Sequence, residues 1–262
     1  MYSPYDFNQS IAHRAEYVEE RLKGGAPVVG ISYDKGVLLL TVKRTQRKIF
    51  EIYDQLMYSA IGNQADVEAV RLAAIDFAHA EGFQRSPDDV SIQRLVGFAI
   101  SPPLKRSFGD PLSTPNVLRA IFVEMGKRPE KDVFFILNYD GEFSTHSRFA
   151  VVAGRDASEL AMHEELEKYS DVPDLATALQ RAVAAWRRGA QDQPAATDDD
   201  ADDEATDRAS TEDIPDPLAQ ALEDGEIEAA ILERDTSRES KFRMLRADEL
   251  KDVVATPANA NS

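Results

Sequence analysis

The chain has no cysteine, which excludes a disulfide framework, a thiolate zinc site and a cysteine nucleophile, and which fits a reducing compartment. Its four histidines, His13, His79, His146 and His163, are scattered, with no metal-ligand spacing between any two. No metal and no cofactor is therefore expected. No apolar run approaches the ~20 residues needed to span a bilayer. The opening MYSPYDFNQS has no basic stretch followed by an apolar one, so no secretory signal is read there. A basic stripe of the kind nucleic-acid binding needs is also missing. Gly24-Gly25 leads into a strand and not a helix, so it is no phosphate loop. Neither nucleic acid nor a membrane is an expected partner.

The net charge of −17 is unevenly placed. Between Asp192 and Glu226 stand 14 acidic residues and one arginine, and the rest of the chain carries only −4. Hydrophobic residues make up 43% of the 262, enough for a sizeable core.

The strongest local signal runs from Gly25 to Lys48. Val29, Ile31 and Tyr33 alternate as in a strand, and Val37 to Val42 is a nearly continuous apolar run, as in a strand buried on both faces. Asp34-Lys35-Gly36 reads as the turn between them, with Gly36 free to take a positive φ. A helix over Asn8–Lys23 precedes this hairpin, with Ile11, Ala15, Val18 and Leu22 on one stripe and Arg14, Glu19 and Arg21 on a solvated face. Strands follow at Ile49–Ile61, then a helix at Asp66–His79. A second helix is capped by Ser86, with Pro87 at its first position, and ended by Pro102-Pro103. Ser101–Asn116 reads as a loop, Val117–Glu124, Asp132–Tyr139 and Phe149–Ala153 as strands, and Ala157–Tyr169 and Pro173–Arg188 as helices. Strands at Glu226–Glu233 and Lys241–Leu245 and a helix at Ala247–Val254 close the pattern.

Strands and helices come in blocks, which points to antiparallel sheets. The expected fold is α+β, a four-layer αββα sandwich of two stacked antiparallel sheets between helix layers. The expected division is a short arm at 1–7, one domain over 8–190 and 225–255, a disordered acidic insertion at 191–224, and a tail at 256–262.

KGVLLLTVKR (35–44), RKIFEIYDQLMYSAIGNQADV (47–67), RLAAIDFAHAEGF (71–83) and VVAG (151–154), in this element order, resemble the 20S proteasome subunit family. The leading helix makes the chain similar to the bacterial α-type. The resemblance implies the sandwich of the N-terminal-nucleophile hydrolases. It places the catalytic threonine of active β-type relatives at Ala26, their acid at Val42 and their lysine at Lys48. Two of the three groups are missing, so no threonine-protease chemistry is expected from this chain alone.

The resemblance further implies a homo-heptameric α ring in the cytoplasm, stacked on a ring of proteasome β-type subunits. The arm bearing Tyr2, Tyr5, Asp6 and Phe7 would gate the entry of unfolded protein substrates. The Ile11, Ala15, Val18 and Leu22 stripe would form ring contacts. Lys48, Gly62 and Asn63 would form a pocket for the C-terminal tails of a hexameric AAA ATPase activator. Without the resemblance, Lys48 reads as an ordinary solvated lysine and the arm as a frayed end. An alternative is a self-standing hydrolase on the same fold that uses another hydroxyl; Ser32, Thr41 and Thr45 are the nearest.

Overall fold

The computed structural model describes residues 4–191 and 216–254. Helix α1 (Pro4–Leu22) leads into β1 (Val28–Tyr33) and β2 (Gly36–Lys43), followed by β3 (Ile49–Tyr53), β4 (Leu56–Gly62) and α2 (Gln64–Gln84). After a 3-10 turn at Pro87–Asp89 come α3 (Ile92–Arg94), a π turn (Leu95–Ile100) and α4 (Ser101–Gly109). The middle of the chain forms β5 (Leu118–Glu124), β6 (Val133–Asn138), β7 (Phe143–His146) and β8 (Phe149–Val152). Helices α5 (Asp156–Glu167), α6 (Leu175–Gln191) and α7 (Pro217–Ala221) precede β9 (Glu226–Glu233), β10 (Phe242–Met244) and α8 (Ala247–Val254).

The strands make two five-stranded sheets, in the orders β10-β9-β2-β1-β8 and β3-β4-β5-β6-β7. Every pairing is antiparallel. The two-residue period of β2 sorts its side chains into two cores. Val37 and Leu39 enter the layer between the sheets, with Val28, Ile121, Phe134 and Val152. Leu38, Leu40 and Val42 face outward with Val29, Ile31 and Tyr33 against α5 and α6. A third core lies between β4–β6 and α2–α4. Burying each such aliphatic side chain is worth about 1.5–3 kcal/mol, so β2 is anchored on both faces. The layers run α-β-β-α, as the block order of the elements implies.

Several local expectations are corrected. Gly36 does not take a positive φ. A Cβ there would lie 1.9 Å from the Leu232 carbonyl oxygen, so glycine is required by the close approach of β9. Helix α1 begins at Pro4, not Asn8, with proline at the first helical position, where its missing N–H costs nothing. Pro102-Pro103 does not end a helix. The preceding π turn widens the ladder, Ser101 donates to the Val96 carbonyl, and the prolines fall in the first turn of α4. Strand β7 was not read from the sequence, because its FSTH carries no alternation and is largely exposed.

Within the expected insertion, residues 192–215 lie outside the described residues, but 217–221 are helical and Leu218 is buried in the outer core. Arg187 near the end of α6 pairs with Asp216 at 3.0 Å, so the chain leaves and re-enters the fold at one place.

Of the face expected to be solvated on α1, Glu19 and Arg21 are exposed, while Arg14 is half-buried and is corrected. Arg14 donates to the carbonyls of Ser107, Phe108 and Ser113 at 2.7–2.9 Å, satisfying the C-terminal end of α4. Glu19 accepts from the Tyr139 hydroxyl at 3.0 Å.

Candidate functional site

The residues of the strand starts meet at one end of the sandwich, in a cavity of about 340 Å³. Ala26, Val42, Arg44, Lys48 and Gly62 are among its walls. Lys48 stands just before β3, where the chain crosses from one sheet to the other. That crossing is clamped by Glu228 of β9, which sits opposite Thr41 of β2. The Glu228 carboxylate is buried and accepts the main-chain N–H of Lys48 at 3.0 Å and of Ile49 at 2.9 Å. It fixes the backbone from which the Lys48 side chain departs.

The Lys48 Nζ lies 2.9 Å from the Ala26 carbonyl oxygen and 3.3 Å from Thr41 Oγ1. Thr41 is fully buried and its hydroxyl donates to the Pro27 carbonyl at 2.7 Å. A hydroxyl has one proton, so towards Lys48 its oxygen acts as acceptor. Two directions of the amine are thus taken by acceptors, and Lys48 lines the cavity. Burial pushes the Lys48 pKa down to about 8, against a smaller upward pull from Glu228. Val42, where the working relatives of the family resemblance keep an acid, is buried against the helix layer and offers no counter-charge.

Gly62 closes the same cavity with φ +127°, and a Cβ there would lie 2.1 Å from the Val117 carbonyl oxygen. Only glycine fits both demands. Asn63 is adjacent but spends its side chain on the fold, accepting the Ala65 N–H at 2.9 Å as the N-cap of α2. The structure therefore brings Lys48 and Gly62 together in one cavity, while Asn63 is not among the residues that line it and serves as a helix cap.

The other expected residues are placed as follows. Val18 and Leu22 are buried in the chain's own inter-sheet core and have no surface left for a neighbour, while Ala15 is half-buried against it. Ile11 is half-buried. Tyr5, Asp6 and Phe7 belong to the first turn of α1 and not to an irregular arm, while Tyr2 lies outside the described residues. Of the basic residues flanking the β2–β3 turn, Lys43 pairs with Glu226 at 2.9 Å, and Arg47 lies over the rings of Phe50 and Phe242. The alternative hydroxyls fare poorly. Ser32 is buried and committed to Asp132, Thr41 is buried and committed to Pro27, and Thr45 is exposed in the β2–β3 turn. Among the described residues, no group of three or more His, Cys, Asp or Glu could hold a metal ion, and no helix is long and apolar enough to cross a membrane.

Sequence reasoning missed Glu228. Nothing local marks it; only its place opposite Thr41 across β2 and β9 does.

No protein-family model matches the chain. Curated relatives do. A proteasome subunit alpha of Actinosynnema mirum is 30% identical over 248 residues, covering 94% of this chain and 84% of its own length. The proteasome subunits alpha of Nocardioides sp. and Streptomyces coelicolor are 24% and 25% identical, covering 94% and 95% of this chain and 86% and 88% of their own.

Proposed function

The chain belongs to the proteasome subunit alpha family, and from that premise we propose that it is the non-catalytic, gating and docking subunit of a proteolytic barrel. Seven copies form a ring on each end of a β-subunit core. The N-terminal residues Tyr2, Tyr5, Asp6 and Phe7 guard the axial entry for unfolded chains. A hexameric AAA ATPase docks its C-terminal carboxylates at Lys48, beside Gly62 of the cavity wall and the neighbouring helix cap Asn63. The ring contact on α1 falls to its outer part, at Ile11 and Ala15, because Val18 and Leu22 are already covered.

One observation carries this reading. Lys48, where the resemblance places the lysine of active relatives, holds its amine against the Ala26 carbonyl at 2.9 Å and lines a cavity. An ammonium with two fixed acceptors and one open donor suits a single carboxylate. The catalytic use of that place is unsupported. Ala26 has no nucleophilic atom, and α1 is packed into the core immediately ahead of it, with Gly25 N–H bonded to the Leu22 carbonyl at 2.8 Å.

The test is co-expression with a β-type partner. The Lys48→Ala variant is expected to assemble into a particle of the same size as the unmodified chain and to lose ATPase-stimulated proteolysis while retaining cleavage of short peptides. Retained stimulation removes the docking role from Lys48. Peptidase activity of the purified chain with no partner would instead favour a self-standing hydrolase.

A further inference from the structure

We infer that Lys48 is a nucleophilic lysine that takes an acyl group from a small acyl phosphate, and that this acylation blocks carboxylate docking at the same cavity. The first half stands on the geometry of the amine alone; the second rests on the docking role proposed above.

A neutral amine has two hydrogens and one lone pair. At Lys48 the two hydrogens match the two acceptors, Ala26 O at 2.9 Å and Thr41 Oγ1 at 3.3 Å. Thr41 Oγ1 cannot compete for the lone pair, because its proton is held by Pro27 O at 2.7 Å. The lone pair takes the remaining position, on a residue that lines the cavity. Losing the proton costs neither hydrogen bond, and burial favours the neutral form. This is the arrangement that activates an amine as a nucleophile.

The charged groups around the cavity select the donor. Arg44 and Arg47, on the β2–β3 turn, line it, and Asp224, which follows α7, lies on its rim. Glu228, from β9, reaches the Lys48 main chain. Arg47 is held by the Ile49 carbonyl at 2.6 Å, whereas Arg44 is exposed. A guanidinium lining the same cavity as the amine offers a phosphate dianion a seat while the acyl carbon meets the nucleophile. The cavity, at about 340 Å³, admits a small molecule of this kind.

The step balances without an outside oxidant or reductant. The Lys48 lone pair attacks the acyl carbon, the new C–N bond forms, and the acyl C–O bond to phosphate breaks. The bonding pair and one amine proton leave as hydrogen phosphate, and an amide remains. The amide nitrogen carries no charge and one hydrogen, so it has no donor left for a carboxylate once one acceptor is satisfied. Docking and acylation therefore exclude each other.

The experiment uses the full chain, incubated with acetyl phosphate at pH 7.5 and mapped by peptide mass spectrometry. The larger neutral fraction at a pKa of about 8 outweighs the loss of basicity, so Lys48 is expected to acylate on the order of ten-fold faster than exposed Lys35. Arg44→Ala is expected to slow Lys48 acylation by acetyl phosphate but not by an uncharged acetyl ester. Lys48→Arg, which keeps the charge and the fold, is expected to lose the modified peptide. Acylation of Lys48 no faster than Lys35 overturns the nucleophile, and an equal effect of Arg44→Ala on both reagents overturns the phosphate seat. Binding of a carboxylate-terminated peptide, measured on unmodified and acetylated chain, tests the second half. No binding to either form removes the docking role alone, whereas equal binding to both removes the blockade.

Discussion

Replacing Lys48 by methionine should make the protein more stable at neutral pH, and less stable than the unmodified chain at high pH. Methionine keeps the length of the stem and removes the charge. The lysine pKa falls from the ordinary 10.5 to about 8 in the folded chain. That gap corresponds to about 3 kcal/mol held against the charged form, and the partial exposure of the side chain reduces it to about 2 kcal/mol. Below pH 8 both the folded and the unfolded chain hold the proton, and the full penalty is present. Between pH 8 and 10.5 the unfolded chain binds more protons, so the unmodified protein gains stability as the pH rises. Methionine also forfeits the bonds to Ala26 O and Thr41 Oγ1, together about 1 kcal/mol at every pH. The expected difference is thus about 1 kcal/mol in favour of Lys48→Met at pH 7, reversing to about 1 kcal/mol against it near pH 10.5. Urea unfolding of both proteins at pH 7, 9 and 10.5, at one fixed chain concentration, reads this directly. A difference that does not change with pH, or that moves in the opposite direction, refutes the account of how Lys48 is held. A reversal would mean that the chain keeps a lysine where an apolar residue is safer, which is the mark of a residue retained for use.

Two further substitutions test the walls of the site and of the fold. Gly62→Ala combines φ +127° with a 2.1 Å approach to Val117 O, and is expected to cost about 3 kcal/mol or more, read as a lowered unfolding midpoint; a loss under about 1 kcal/mol would show that the turn relaxes freely. Asp132→Asn removes the charge facing Arg234, whose side chain is buried and also donates to the Gly126 and Tyr33 carbonyls at 3.1 Å. Leaving that guanidinium without its counter-charge is expected to cost about 3–5 kcal/mol, measured by denaturant unfolding at pH 7, and an unchanged midpoint would contradict it.

Much of the sandwich was legible because its strands repeat with period two and its helices with period 3.6. The alternation of Val29, Ile31 and Tyr33, and the unbroken run from Val37 to Val42, describe the faces they occupy. What local pattern does not encode is contact between distant segments. Arg14 reads as a surface charge until α4 and the turn after it come to rest against it. Gly36 reads as a turn glycine until β9 approaches. Pro102-Pro103 reads as a stop because nothing in the sequence announces the π turn that accommodates it. The site divides in the same way. Lys48 and Gly62 were found through the family resemblance, while Glu228 depends on a strand pairing across more than half the chain.

The pairing of Arg187 with Asp216 gives the fold a second property. Departure and return of the chain between α6 and α7 are fixed at one point by groups that belong to the folded body. For a flexible loop, each doubling of length costs only about 0.6 kcal/mol in closure entropy. Chain length there is nearly decoupled from folding. Sequence lengthened, shortened or exchanged between residues 192 and 215 is expected to leave the sandwich as it is, which makes this junction the natural place to graft a label or a foreign peptide.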